Sequence, residues 1–275
     1  MTCPRTILIT GATGNIGTKL RRHFSGVGPY ELRLLCNNPA RDPTVITADL
    51  SIYDDYWARH FVKVDAVIHL AGDSNPRASW VSIQRHNIDL TMNVYEAARQ
   101  HGAKRLIFAS SNWVMAGYRF GDERLTTDLP PWPVNPYGHS KLFGERIGQS
   151  FAARHDLSVI AFRIGWCQRD HDNRPGPHMT MGRWGQEMWL SDRDLCQAIE
   201  RAVVVEDVPF AILNLMSDNP RMRWDIDETR RVIGYAPEDG HVAVLTPENV
   251  ERETMVRLEH ELAERLERLA ALQRW

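Results

Sequence analysis

A tyrosine and a lysine spaced four residues apart, Tyr137 and Lys141, follow Pro136, a residue typical of the first turn of a helix. Side chains with this spacing lie on one face of a helix. Removing a hydroxyl proton while a hydride leaves the same carbon requires a base, and a free tyrosine, with a pKa of about 10, is a poor one at neutral pH. An ammonium group one turn away favours the phenolate. The pair therefore predicts alcohol oxidation with Tyr137 as the base.

A serine ends the apolar segment that precedes this helix. Ser111 follows KRLIFAS (104–110), which predicts a buried strand. At the tip of a strand, its hydroxyl would hydrogen-bond the reacting hydroxyl and stabilise the charge that develops on oxygen. A Tyr-x-x-x-Lys spacing is common by chance, so the assignment of Ser111, Tyr137 and Lys141 as catalytic depends on the elements that position them.

Apolar and amphipathic segments alternate over the first two thirds of the chain. The apolar segments, predicted to be strands, span 6–10, 31–35, 65–70, 104–110 and 157–164. The amphipathic segments, predicted to be helices, span 16–25, 51–61, 81–101 and 137–155. Buried strands separated by helices predict an α/β fold with a doubly wound parallel sheet of the Rossmann type.

This pattern changes twice along the chain. We expect a Rossmann dinucleotide-binding portion at 1–164, a substrate-binding loop and C-terminal portion at 165–245, and an amphipathic C-terminal helix at 246–275. Thr246 is typical of the N-cap of that last helix and Pro247 of its first position. The helix carries a leucine stripe, which we expect to pack on its own subunit or, as the main alternative, between subunits of a homo-oligomer: Leu258, Leu262, Leu266, Leu269 and Leu272.

A glycine-rich loop, GATGNIG (11–17), directly follows the first predicted strand and opens a helix. In this context Gly11 allows a tight turn, Gly14 lets the backbone approach a pyrophosphate, and Gly17 lets the helix pack closely on the strand. The phosphates would lie at the N-terminus of the helix, next to Asn15 and Ile16. The loop therefore predicts a dinucleotide cofactor, NAD or NADP.

Four motifs in this order resemble the extended short-chain dehydrogenase/reductase family, which is also called the NAD-dependent epimerase/dehydratase family. They are TGATGNIG, HLAG (69–72), FASS (108–111) and YGHSK (137–141). HLAGDSNP, SSN, MWLS (188–191) and SDN (217–219) are similar to uronate dehydrogenases and archaeal-type glucose-6-phosphate dehydrogenases of that superfamily. The resemblance implies that Asn87 braces the central sheet and that further residues contact the cofactor: Asp49 and Leu50 at the adenine, Leu70, Ala71 and Gly72 along the cofactor, and Lys141 at the nicotinamide ribose.

The end of the second predicted strand departs from the pattern of NAD-specific relatives. They carry an acid there for the ribose 2′-hydroxyl, whereas this chain has Cys36 and Asn37. A thiol neither accepts the paired ribose hydrogen bonds nor repels a 2′-phosphate. Asn37, Asn38 and Arg41 could instead donate to that phosphate, so the choice between NAD and NADP stays open.

The segment 165–190 is expected to recognise the substrate. It is rich in cationic side chains, which suit a carboxylate or phosphate: Arg169, Arg174, His178 and Arg183. The resemblance implies that Arg174 binds the substrate anion and that Ser74 and Asn112 contact the sugar. Trp113 stands where uronate dehydrogenases have histidine, and it offers an apolar face for a pyranose.

These features favour a sugar dehydrogenase that oxidises the C1 hydroxyl of a hexuronate, or of a similar C6-anionic hexose such as a hexose 6-phosphate, to a lactone. A nucleotide-sugar epimerase or dehydratase is the alternative. It lacks support because Asn112 and Trp113 replace the acid pair of dehydratases and little chain remains to enclose a nucleoside diphosphate. A non-catalytic NAD(P)-binding sensor is the third possibility, disfavoured by retention of the Ser–Tyr–Lys group.

Composition argues against several other classes. The 33 lysines and arginines nearly balance the 35 acidic residues, so the net charge of −2 provides no basic field for nucleic acid. No apolar run is long enough for a membrane span or a signal peptide, and we expect a cytoplasmic enzyme. The cysteines are scattered without metal-ligand spacing, so we expect reduced thiols and no metal site: Cys3, Cys36, Cys167 and Cys196.

Overall fold

The computed structural model of the protein describes residues 5–38, 42–179 and 181–272. Cys3 and Arg41 lie outside this range. Within it, the strands are β1 (Arg5–Thr10), β2 (Tyr30–Cys36), β3 (Val45–Thr47), β4 (Ala66–His69), β5 (Arg105–Ser111), β6 (Ser158–Ile164) and β7 (Phe210–Leu215). They form one parallel sheet in the order β3-β2-β1-β4-β5-β6-β7. The predicted doubly wound Rossmann fold is confirmed.

Helices connect the strands across both faces of the sheet. They are α1 (Asn15–Gly26), α2 (Asp55–Ala58), α3 (Trp80–Ile83), α4 (Leu90–Gln100), α5 (Pro136–Arg154), α6 (Gly182–Glu187), α7 (Asp192–Val204), α8 (Asp227–Ile233) and α9 (Pro247–Leu272). A π-helical segment, Gln84–Asp89, joins α3 to α4, so the helix predicted at 81–101 is one helical stretch with a local irregularity. The helix predicted at 51–61 is shorter, because α2 begins only after Asp54 caps it.

Two apolar layers hold the helices on the sheet. One contains Leu20 of α1 and Leu195 of α7, and the other contains Val94 of α4 and Phe151 of α5. Strand β1 lies between β2 and β4, so the chain leaves it in opposite directions on its two sides. A crevice opens at the carboxyl ends of the strands at such a switch point, which is where this fold binds ligands.

The segment after β6 is built onto the same sheet. Strand β7 pairs with β6 from Val159 to Ile164. The boundary predicted at residue 164 therefore separates two strands that are hydrogen-bonded to each other. Ser191 caps α7, since its Oγ accepts from the Asp194 amide at 3.0 Å. The segment 165–190 contains α6, a short helix whose buried Gln186 bonds the backbone of Val244 through both side-chain polar atoms.

The C-terminal helix begins as expected but packs differently. Thr246 Oγ1 accepts from the Asn249 amide at 3.2 Å, and α9 starts at Pro247. The favoured expectation that the leucine stripe packs on its own subunit is wrong, because the described leucines are 50–58% exposed: Leu258, Leu262, Leu266 and Leu269. The side chain of Leu272 lies outside the description. Helix α9 contacts the rest of the protein through two polar residues: Glu253 bonds the Arg183 amide, and His260 packs near Phe120.

Candidate active site

A cavity of about 1460 Å³ opens at the carboxyl ends of the central strands. We call it the cleft. Its walls include the glycine-rich loop after β1, the loop after β4, the end of β5 and the start of α5. All three predicted catalytic residues line it together with most of the predicted cofactor residues.

Helix α5 places Tyr137 and Lys141 at the cleft. Asn135 caps the helix, because its Oδ1 accepts from the Gly138 amide at 2.7 Å, and Pro136 occupies the first position. A Cβ at Gly138 would lie 2.6 Å from the carbonyl oxygen of Trp113. Only glycine therefore lets the first turn of α5 approach the segment that follows Ser111 so closely.

The three catalytic candidates lie together at this contact. Burial raises the pKa of the Tyr137 phenol, a hydrogen bond with the Ser111 side chain lowers it in part, and the Asp73 carboxylate raises it. Burial lowers the pKa of Lys141 to about 8. The Lys141 Nζ donates to the Ala109 carbonyl at 2.9 Å and lies 5.7 Å from the centre of the Tyr137 ring. The arrangement can therefore hold a hydroxyl between Ser111 and Tyr137, with a cation one helical turn away.

A buried ion pair holds helix α5 against the sheet, and no motif in the sequence marks it. Glu145, one further turn along the face of Tyr137 and Lys141, accepts from Arg163 of β6 at 2.9 Å through each carboxylate oxygen. Its Oε1 also accepts from Ser110 at 2.7 Å. Both charged side chains are about 1% exposed or less. The network ties α5 to β5 and β6 next to Ser111.

The glycine-rich loop fits a dinucleotide phosphate. Gly14 is the N-cap of α1, no side chain caps that helix, and its first turn contains no acidic residue. The amides there are therefore available to an anion, which the helix dipole also favours. Gly11 has a φ of +68°, and a Cβ at Gly17 would overlap the Gly11 carbonyl oxygen, so both glycines are required by the turn.

The other predicted cofactor residues divide into two groups. Those that line the cleft are Asn15, Ile16, Cys36, Asn37, Asp49, Leu50, Leu70, Ala71 and Gly72. Asn87 instead lies behind the cleft, where its Oδ1 accepts from the Asp73 amide at 2.7 Å and its Nδ2 donates to the Ser140 hydroxyl at 3.1 Å. It thus ties the loop after β4 to the start of α5.

Cys36 ends β2 at the expected ribose position. Its Sγ lies 3.0 Å from the Oγ1 of Thr13. The Thr13 hydroxyl in turn donates to the Asn38 carbonyl at 2.8 Å. The acid that would accept both ribose hydroxyls is thus replaced by a side chain engaged with the glycine-rich loop.

We expect Cys36→Asp to shift cofactor preference toward NAD, because a carboxylate would accept from the ribose hydroxyls and repel a 2′-phosphate. The measurement is kcat/KM for NAD and NADP in the wild type and the variant, and the wild type should discriminate weakly between them. Cys36→Ser is the matched control, since it adds no charge. A strong wild-type preference for NAD that the aspartate leaves unaltered would contradict this prediction.

The predicted substrate residues are only partly brought together. Ser74, Asn112 and Trp113 line the cleft. Asn112 Nδ2 donates to the Ile164 carbonyl at 3.1 Å, while its Oδ1 is buried without a partner among the described residues. Arg174 is exposed and is not among the residues that line the cleft.

Other residues reach the cleft without having been predicted. Arginines of three separate segments line it: Arg77, Arg119 and Arg252. Arg77 lies just after the HLAGDSNP motif, so its position could have been noticed in the sequence. Arg119 lies eight residues after Ser111 and Arg252 lies in α9, and no motif marks either of them. Among the described side chains, no cluster of three or more His, Cys, Asp or Glu residues is arranged to hold a metal ion.

A glycine-rich dinucleotide loop and a Ser–Tyr–Lys group on one cleft define a nicotinamide-dependent oxidoreductase. Residues 7–166 match the NAD dependent epimerase/dehydratase family. The NAD-dependent glucose-6-phosphate dehydrogenase of Haloferax volcanii is 36% identical over 254 residues, covering 85% of this chain and 93% of that protein. The uronate dehydrogenase of Pseudomonas putida is 37% identical over 240 residues, covering 85% and 84%.

The fold agrees with a solved relative. The crystal structure of glucuronic acid dehydrogenase from Chromohalobacter salexigens has a TM-score of 0.73 at 29% identity, covering 86% of this chain and 85% of that one. The chain therefore belongs to the NAD-dependent epimerase/dehydratase family. The predicted family and the predicted class, an NAD(P)-dependent oxidoreductase acting on CH–OH groups, are confirmed.

Proposed function

We propose that the protein is an NAD(P)-dependent sugar dehydrogenase that oxidises the C1 hydroxyl of a cyclic hexose carrying an anionic group at C6, giving a lactone. The observation that carries this proposal is the meeting of Ser111, Tyr137 and Lys141 with the dinucleotide loop in one cleft whose other walls bear arginines. The names of two relatives, a glucose-6-phosphate dehydrogenase and a uronate dehydrogenase, support this substrate class, whereas the similarly related L-arabinose 1-dehydrogenase of Haloferax volcanii is named for a neutral pentose.

Proton transfer follows from the site geometry. The C1 hydroxyl of the sugar donates to Tyr137 and hydrogen-bonds Ser111, and the phenolate of Tyr137 removes its proton as the C1–O bond becomes a carbonyl. The oxidised nicotinamide, when bound, supplies the acceptor for the C1 hydride. Lys141 has a pKa of about 8, so it carries a positive charge at lower pH and stabilises the phenolate through that charge. Ser111 stabilises the negative charge that develops on the substrate oxygen.

The test is a panel of galacturonate, glucuronate, hexose 6-phosphates and neutral hexoses, each assayed with NAD and NADP for reduced nicotinamide. We expect the C6-anionic sugars to give the highest kcat/KM. Turnover only of nucleotide sugars would favour the epimerase or dehydratase alternative, and cofactor binding without turnover of any sugar would favour a sensor. Equal kcat/KM for anionic and neutral hexoses would contradict recognition of the C6 anion.

Two further expectations remain predictions. No helix in the described part of the chain combines the length and apolar character that crossing a bilayer requires. We propose a cytoplasmic location and a homo-oligomeric state. The half-exposed leucines of α9 support the second, because a contiguous apolar stripe favours contact with another surface.

A further inference from the structure

Arg119 is a cleft residue whose charge is only incompletely compensated by the protein. Its guanidinium carbon lies 5.0 Å from the centre of the Phe120 ring. Its Nε is buried without a hydrogen-bond partner, and the side chain forms no salt bridge within the described part of the chain. Burial lowers the pKa of Arg119, and the charge of the Glu253 carboxylate raises it in part. Because Arg119 as a whole is only partly buried and lines the cleft, its charge is open to an anion from outside the chain.

The other cations of the cleft differ from Arg119. Lys141 donates to a backbone carbonyl and belongs to the catalytic group. Arg252 is 58% exposed in its side chain and approaches Glu248 at 3.7 Å, and Arg77 is exposed. Burial makes an electrostatic contact stronger than it is in water, so an anion would gain most at Arg119.

Arg119 shares the cleft with the Ser–Tyr–Lys group. The 3-10 segment Asn112–Tyr118 begins directly after Ser111 and leads to Arg119. Ser111 and Arg119 both line the cleft, so a sugar that contacts Ser111 occupies the same cavity as this arginine.

The neighbouring arginines, in contrast to Arg119, have partners in the protein. A second cavity of about 270 Å³ shares Arg119 and Glu253 with the cleft. Its lining contains further arginines: Arg183, Arg223 and Arg257. Glu187 bonds both Arg183 and Arg223, and Arg257 approaches Glu261 at 3.9 Å. Among the described residues, Arg119 is thus the arginine of this cavity that forms no salt bridge.

Helix α9 closes this end of the cleft. Glu253 Oε2 accepts from the Arg183 amide at 3.3 Å, and the His260 ring lies 6.0 Å from that of Phe120, centre to centre. Val256 and Glu259 complete the wall. The C-terminal helix is thus part of the substrate site through one face, although its leucines point elsewhere.

We propose that Arg119 binds the anionic substituent of the sugar, a carboxylate or a phosphate, in a subsite walled by α9. This inference rests on the proposed sugar dehydrogenase function. It replaces the exposed Arg174, expected from the resemblance, with a residue that lines the cleft.

The experiment compares Arg119→Ala and Arg119→Lys with Arg174→Ala, and with Arg146→Ala as a matched control on an exposed face of α5. Steady-state kinetics use galacturonate, glucose 6-phosphate and neutral hexoses. We expect Arg119→Ala to raise KM for the preferred anionic sugar roughly 10- to 100-fold, the usual effect of losing a charge-assisted pair, with kcat within a few-fold. Values for a neutral hexose should not change, Arg119→Lys should recover part of the loss, and Arg146→Ala should match the wild type.

Two kinetic outcomes would overturn the proposal. Equal losses for anionic and neutral sugars in Arg119→Ala would indicate a purely structural role. A selective loss in Arg174→Ala with Arg119→Ala unaffected would assign the anion to the loop. The relative size of the loss for galacturonate and glucose 6-phosphate distinguishes a carboxylate subsite from a phosphate subsite.

Calorimetric titration of the NAD-loaded protein with galacturonate and with glucose 6-phosphate separates this inference from the proposed function. If no sugar is oxidised, the proposed function fails. Weaker binding of either anion to Arg119→Ala than to Arg146→Ala would still support the subsite, and indistinguishable binding to the two variants would refute it.

Discussion

Replacing Tyr137 by phenylalanine should lower kcat at least ~10²-fold, because the substrate hydroxyl then loses its base while the ring and its packing remain. The affinity for the dinucleotide should stay nearly unchanged, since the glycine-rich loop and the amides of α1 are untouched. Steady-state turnover and fluorescence titration with reduced cofactor measure the two quantities. Tyr53→Phe, which removes a hydroxyl bonded to Gln100 away from the cleft, is the matched control.

The pH dependence gives the same mechanism a second test. The wild-type rate of sugar oxidation should rise with pH, because the deprotonated phenol is the base. Burial raises the pKa of Tyr137 and lowers that of Lys141 to about 8, so the gain in rate should diminish above about pH 8, where Lys141 loses the charge that stabilises the phenolate. Near-normal turnover of Tyr137→Phe, or the same pH profile in that variant, would exclude Tyr137 as the base.

Replacing Glu145 by alanine should lower the free energy of unfolding by about 3–5 kcal/mol, because it leaves the Arg163 guanidinium buried and unpaired. The measurement is urea unfolding of the protein without cofactor. The double variant Glu145→Leu/Arg163→Met should lose less than Glu145→Ala, since both charges leave the interior together.

A surface pair provides the comparison for Glu145. Lys104 bonds Asp65 at 2.5 Å, but its side chain is 76% exposed, so Lys104→Ala should cause a much smaller loss. A loss for Glu145→Ala no larger than that for Lys104→Ala would show that the buried pair does not stabilise the fold. Because Glu145 holds α5 against β5, the variant should also lose activity at temperatures where it remains folded.

The sheet and the grouping of Ser111, Tyr137 and Lys141 at one cleft could be predicted because their signals are local. The strands are short apolar runs, and the spacing of Tyr137 and Lys141 is one helical turn. The glycines that the turn requires, Gly11 and Gly17, also lie within one seven-residue segment. The prediction failed for the leucines of α9, because an apolar stripe reveals that a helix has an apolar face but not which surface lies opposite it.

The sequence by itself determined the Rossmann class and the family, since the motifs that carry them lie within single elements or at the ends of neighbouring parallel strands. The chemistry assigned to Ser111, Tyr137 and Lys141 stays a prediction. Only the tertiary structure decided which charges are buried. It paired Glu145 with Arg163 and left the Nε of Arg119 without a partner among the described residues. Burial and pairing depend on contacts between segments far apart in the chain, for which neither composition nor spacing carries a signal.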